Sequence, residues 1–294
     1  MDYEAMAASL EASGEYRVLR KIRAKKEFCS PDGSALKRGL FIDVETTGLS
    51  FVDDEIIELA MVPFSYGNSG KIFEIFEPYQ SFQEPRNEIP AEITSLTGIT
   101  QNMVSGCRLD HERIENYLAQ ADILIAHNAA FDRKFMEKLF EQARIKPWAC
   151  SATQINWRAE GFEGSRLGYL VASAGFFYDR HRALNDCYAA IELLARPLPN
   201  SKLTALNVLL ENARRPSWRI WASHAPFELK DKLRRRGYRW ASGENGGRRA
   251  WYRDVPNEIK DLELKYLADE IYGREPPVHM QRIDAYDRFS ERVD

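Results

Sequence analysis

Apolar positions in the first part of the chain come in compact blocks: Gly39-Leu-Phe-Ile-Asp-Val-Glu45, Glu55-Ile-Ile-Glu-Leu-Ala-Met-Val-Pro-Phe64 and Lys71-Ile-Phe-Glu-Ile-Phe76. Each is short and bounded by turn formers, which predicts three consecutive strands, the last two joined by a hairpin at Gly67-Asn-Ser-Gly70. After Pro90 the spacing lengthens to that of helices, with Ile114, Tyr117 and Leu118 forming one apolar stripe. A short apolar run, Asp122 to His127, then predicts a strand, and Phe131, Phe135, Leu139 and Phe140 fall on one face of the helix after it. A further short strand is expected near Cys150 to Trp157, followed by helices around Leu167–Ser173 and Ala183–Leu194. Strands in a meander, then strands alternating with helices, predict an α/β fold: a mixed sheet flanked by helices.

This pattern divides the chain into an N-terminal extension (1–38), the α/β domain (39–198, closed by Pro197-Leu-Pro199), a small α+β module (199–256) and a C-terminal tail (257–294). The module is expected to hold a helix over Pro226–Arg236 and two short strands turned at Gly246-Gly247. Its composition differs from the rest. Arg214 to Arg253 carries 12 Lys+Arg against three acids, a net +9 within a chain of net −3, together with Trp218, Trp221, Trp240 and Trp251. Cations interleaved with aromatics can follow phosphates and stack on unpaired bases, so Lys230, Arg234, Arg235 and Arg236 are candidate nucleic-acid contacts. A module of ~40 residues also needs large side chains for any core, so Trp221, Trp240 and Trp251 are expected to be structural and the four cations to form a solvated helix face.

With 294 residues, 44% of them apolar, the chain can bury a core. Its 41 Lys+Arg nearly balance 44 Asp+Glu, which excludes both a uniformly basic nucleic-acid coat and an acidic disordered chain. Cys29, Cys107, Cys150 and Cys187 form no C-x-x-C pair, fitting isolated thiols in a reducing compartment and no zinc site. No apolar run approaches the ~18 residues of a membrane span, and the acids Asp2, Glu4, Glu11 and Glu15 interrupt any signal-peptide core. A cytoplasmic protein without membrane attachment is expected.

Three polar motifs interrupt the apolar pattern. Asp43 and Glu45 lie two apart in a strand, so both carboxylates point to one face, ~6.8 Å apart along the chain, and can converge on a cation. The Asp-x-Glu spacing recurs five times in the chain, but only this pair sits in an apolar strand, where unpaired carboxylates are costly unless something positive compensates them. Asn128 and Asp132 lie four apart at a strand-to-helix junction, where a strand's carboxyl end opens into a crevice; helix capping by Asn128 explains the same pattern. His181 and Asp186 would stand roughly 140° apart on one continuous helix, so His181 is expected on the loop before it, where an imidazole can swing over the site and take a proton from water.

Together, Phe41-Ile-Asp-Val-Glu-Thr-Thr-Gly-Leu49, Ile89-Pro-Ala-Glu-Ile-Thr-Ser-Leu-Thr-Gly-Ile99, His127-Asn-Ala-Ala-Phe-Asp132 and His181-Arg-Ala-Leu-Asn-Asp186 resemble the DEDDh group of 3′–5′ exonucleases, which includes the proofreading epsilon subunit of bacterial DNA polymerase III. The resemblance covers about Gly39 to Leu194 and implies a ribonuclease-H-like fold. It implies catalytic roles for Asp43, Glu45, Asp132 and Asp186, with His181 as general base. Hydrolysis of a phosphodiester at the 3′ end of DNA, releasing nucleoside 5′-monophosphates, would use two Mg²⁺ or Mn²⁺ ions, since the donors are all oxygen. Asp43, Glu45 and Asp186 would hold one ion, Asp43 would bridge to the second, and Asp132 would act largely through water. Thr46, Leu49, His127, Asn128 and Phe131 would meet the terminal nucleotides, although Leu49 and Phe131 also read as core residues. The substrate would be a single-stranded or frayed 3′ end of DNA, with RNA or a short oligonucleotide as the alternative and a DNA polymerase or repair protein as partner. A non-catalytic binding protein is disfavoured, because none of the five residues is missing.

Overall fold

The computed structural model describes residues 2–243 and 248–293, and the chain separates into two units, one running to Asn212 and the other from Ala213. In chain order the first unit contains α1 (Tyr3–Ala12), β1 (Arg20–Lys21), β2 (Lys37–Thr46), β3 (Ile56–Tyr66), β4 (Ile72–Ile75) and β5 (Tyr79–Phe82). These are followed by α2 (Ala91–Thr97), α3 (Gln101–Val104), α4 (His111–Gln120), β6 (Ile123–Ala126), α5 (Ala129–Leu139), α6 (Glu141–Ile145) and β7 (Trp148–Cys150). The unit ends with α7 (Leu167–Ser173), β8 (Phe176–Phe177), α8 (Ala183–Leu194) and α9 (Ala205–Arg214).

The main sheet has the order β4-β3-β2-β6-β7, with β5 also pairing with β3. The β2–β3, β3–β4 and β3–β5 pairs are antiparallel, whereas β2–β6 and β6–β7 are parallel. The meander therefore supplies the antiparallel half and the strand–helix alternation the parallel half, giving the mixed sheet flanked by helices read from the pattern. Every residue of β3 is buried, because strands pair on both of its edges and α8 packs across β2 and β3. Gly39 makes room in this core: a Cβ there would collide with the Phe64 ring, its cross-strand neighbour.

Several details differ from the sequence pattern. The strand expected near Cys150–Trp157 sits at the start of that stretch, at Trp148–Cys150; the chain then turns, and Trp157 is buried as an anchor whose Nε1–H donates to the Ser151 carbonyl at 2.8 Å. The N-terminal extension joins the sheet system: β1 pairs in parallel with β8, and Phe28 N–H and the Lys26 carbonyl bond to Phe73 and Ile75. Two-residue strands such as these carry too few positions to show a period.

The second unit contains β9 (Ser217–Ala222), α10 (Lys230–Arg236), β10 (Arg239–Ala241), β11 (Ala250–Pro256), α11 (Lys260–Leu267) and β12 (His279–Ile283). Its antiparallel sheet has the order β10-β11-β9-β12, and Ile220, Leu233, Tyr238, Val255, Leu267 and Ile271 form its core. Residues 257–294, read as a tail, instead supply α11, an outer strand and the core residues Leu267 and Ile271. The expected Gly246-Gly247 turn lies outside the described residues. Trp221 is buried at 1% exposure, but Trp240, expected to be structural, is 50% exposed because it sits on the edge strand β10.

Candidate active site

The site forms where β2 outruns its parallel neighbour. Pairing of β2 with β6 ends at Phe41↔Ile125, so the stretch carrying Asp43, Val44 and Glu45 projects past the carboxyl end of β6. Such an opening beyond a strand's carboxyl end is where open α/β sheets bind ligands. On the other edge β3 stays in register, with Asp43 opposite Ala60 and Glu45 opposite Glu58, until a bulge between Glu45 and Thr46 shifts the register so that Thr46 pairs with Ile56.

Three elements bring acids into this opening. Asp43 and Glu45 share one face of β2, and Asp186 comes from the first turn of α8; one carboxylate oxygen from each lies within 4.8 Å of the others. Asp132, in the first turn of α5 and almost fully buried, accepts the Val44 N–H at 3.2 Å, the backbone donor exposed by the end of β6. His181 is exposed, on the loop before α8, with φ +61. That left-handed conformation costs a non-glycine residue about 1–2 kcal/mol and is held by the flanking contacts.

The electrostatics are those of crowded acids whose burial and mutual repulsion outweigh the nearby charges of Arg182 and His181. Burial, then the charges of Asp132, Asp186, Glu45 and Glu58, push the Asp43 carboxyl well above the usual range. Burial and the neighbouring acids raise Glu45 to about 8. Burial raises Asp132 to about 7 against the stabilising Val44 N–H. Asp186 is also raised by burial, opposed by the Tyr178 hydroxyl, the Arg182 backbone and His181. An all-oxygen donor set that cannot comfortably hold its own negative charge fits a hard divalent cation.

Two residues that the motif reading passed over, Glu58 and Tyr178, organise this cluster. Glu58 is fully buried, yet both its oxygens are used: Oε1 accepts from Gln80 Nε2 at 2.6 Å and Arg182 Nη2 at 3.2 Å, and Oε2 accepts from Arg182 Nε at 3.3 Å and Ala183 N–H at 3.1 Å. It therefore caps the start of α8 from across the sheet, where the helix has no side-chain cap of its own. Tyr178 donates its hydroxyl to Asp186 Oδ1 at 2.7 Å, and burial followed by the Asp186 charge pushes its pKa up, keeping it a donor. The signal for Glu58 was present, since it is the one charged residue in the eleven of β3.

Leu49, Asn128 and Phe131 line one pocket of about 180 Å³ together with Phe51 and Lys134. Leu49 is 87% exposed, which removes its core reading, and Asn128 makes no side-chain cap bond, which leaves its amide to the pocket. The Thr46 hydroxyl donates to the Gly48 carbonyl at 2.5 Å. His127 stands apart: Nδ1 meets Ser151 Oγ at 2.9 Å and Nε2 the Ser165 carbonyl at 2.7 Å, so both ring nitrogens are engaged within the protein. Of the four candidate cations among the five on α10, Arg236 turns to the buried Glu263 at 3.2 Å, Arg234 pairs with Asp231 at 3.2 Å, and Lys230 lies over the Phe227 ring at 4.0 Å; Arg235 is exposed.

Comparison with known proteins places this site in a recognised context. A family model described as "Exonuclease" matches residues 40–194, which hold all five expected catalytic residues. The PolC-type DNA polymerase III of Clostridium perfringens is 32% identical over 158 residues, covering 52% of this chain and 10% of that protein. Its Bacillus subtilis counterpart is 34% identical over 167 residues, covering 54% and 11%. The chain thus spans about a tenth of the length of these relatives. Among solved structures, a zinc-bound E. coli ExoI–ssDNA complex superposes with a TM-score of 0.52 at 16% identity, covering 79% of this chain and 68% of that one, and shares its fold.

Proposed function

The chain belongs to the exonuclease family, whose model spans more than half of it, and from that premise we propose that it is a 3′–5′ exonuclease acting on the 3′ end of DNA and releasing nucleoside 5′-monophosphates. The observation that carries the reading is the convergence of Asp43, Glu45 and Asp186 within 4.8 Å, inside the matched segment. DNA is favoured as substrate by the similarity to relatives named DNA polymerase III, and a polymerase or repair protein is the partner class that similarity supports.

Divalent metal use follows from the family and the acidic cluster. Asp43, Glu45 and Asp186 would hold two Mg²⁺ or Mn²⁺ ions, which would neutralise the phosphate, acidify the attacking water and stabilise the leaving oxygen. The chain's own residues do the rest. Asp132, fixed by the Val44 N–H, keeps its second oxygen for water at the site's edge. Tyr178 and the Arg182 backbone fix the orientation of Asp186. His181 on its exposed loop takes the proton of the attacking water. Leu49, Asn128 and Phe131 receive the terminal nucleotide, with the bulged backbone at Thr46 beside it.

Release of mononucleotides from matched 5′-labelled single-stranded DNA and RNA, with Mg²⁺ and with chelator, tests this. Stepwise shortening of the DNA only with metal is expected; preference for RNA would reassign the substrate, and no release from either would remove the activity.

A further inference from the structure

The exposed side of the second unit carries a line of rings and cations, Phe227, Lys230, Arg234 and Trp240, linked through Trp251, which packs against the core. Phe227, Lys230 and Arg234 fall at helical spacing along the segment leading into and through α10, with Leu233 turned inward to the core. Lys230 Nζ lies 4.0 Å from the Phe227 ring centre, and the Arg234 guanidinium lies 5.9 Å from that of Trp251. Trp251 in turn meets Trp240 edge-on at 5.6 Å, the two being cross-strand neighbours. Phe227 is 73% exposed and Trp240 50%, so neither ring is justified by burial.

Much of the positive charge of this unit is spent internally. Arg219 and Arg239 pair with Asp254, Arg236 and Arg253 with Glu263, and Lys232 with Glu270. The cations along the ring line are different. Among the described residues the acid that Arg234 meets is the exposed Asp231 at 3.2 Å, a contact of a kind that contributes little and yields to a better anion, and Lys230 lies over a ring. Residues 227–240 still carry six Lys+Arg against two acids. Flat rings spaced by mobile cations complement a ligand that alternates flat bases with phosphates.

We infer that Phe227, Lys230, Arg234 and Trp240 form a second binding surface for single-stranded DNA, Trp240 and Phe227 stacking on bases and the two cations meeting phosphates. The choice of DNA rests on the exonuclease reading; the surface itself does not. The test uses the full chain in chelator, so that binding is read without hydrolysis. Fluorescence anisotropy of a labelled oligodeoxythymidylate should show Trp240→Ala and Phe227→Ala weakening binding by about fivefold or more each, as loss of one stacked base implies. Arg234→Gln should weaken it less and flatten the salt dependence by about one counterion. Wild-type affinity in Phe227→Ala and Arg234→Gln would overturn the inference even if Trp240→Ala proved unstable. An oligoribonucleotide bound tenfold more tightly would overturn the choice of DNA. A chain that binds through this surface yet releases no nucleotide with Mg²⁺ would count against the exonuclease reading alone.

Discussion

Glu58 and Glu45 face each other across the β2–β3 pair, yet only one of them is neutralised by the protein. Glu58 is locked by Arg182, Gln80 and the Ala183 N–H, whereas Glu45 is left among acids with its pKa raised to about 8 by burial and then by Asp186, Glu58 and Asp132. The first is structural and the second is free to ligate.

Glu58→Gln is expected to loosen the start of α8, because the amide cannot match the Arg182 ion pair and the Ala183 N–H together. A stability loss of about 1–3 kcal/mol by urea denaturation is expected, with weaker Mn²⁺ binding and slower turnover through a misplaced Asp186. Unchanged metal affinity would show that Glu58 supports the fold alone.

Asp43→Asn removes the acid at the centre of the mutual repulsion. Nucleotide release should fall to background, while the metal-free protein gains stability at alkaline pH. Full turnover, or a loss of metal-free stability, would contradict the assignment.

The raised acids give the metal-free protein a definite pH dependence. A carboxyl whose folded pKa exceeds its unfolded value binds more protons when folded, so its contribution is complete below the unfolded pKa and is lost as pH climbs through the folded one. For Glu45 and Asp132 that window runs from about 4 to about 8. The melting temperature in chelator should therefore fall across this range more steeply in wild type than in Asp43→Asn, and Mn²⁺ should flatten it. Parallel wild-type and mutant curves would count against this electrostatic account.

His181→Ala should slow hydrolysis by about a hundredfold or more with near-normal metal binding, and recover in part at higher pH, where hydroxide replaces the base. Because residue 181 adopts φ +61, His181→Gly should lose the same activity while keeping a backbone that suits it. A wild-type rate at neutral pH in either variant would remove the general-base role.

The acidic cluster was legible because a strand's period of two places Asp43 and Glu45 on one face, and because a strand-to-helix junction puts Asp132 in a crevice. Glu58 stood out as the one charge in β3, but its role did not, since its partner Arg182 lies far along the chain and no local period links them. His127 sat in a matching motif, but its bonds to Ser151 and Ser165 depend on a loop whose path has no sequence signature. The charge of the second unit misled in one respect: the acids that neutralise it, Asp254, Glu263 and Glu270, follow the basic stretch, and two lie in the segment read as a tail. Trp240 was expected inside because a small module needs rings, whereas its place on an edge strand leaves half of it outside.

Anomalous diffraction from crystals soaked in manganese with an oligonucleotide bound tests the central claim most directly. The account predicts peaks between the carboxylates of Asp43, Glu45 and Asp186, with the 3′-terminal phosphodiester against them. Occupied DNA with no anomalous density among these oxygens, or carboxylates turned away from one another, would contradict it.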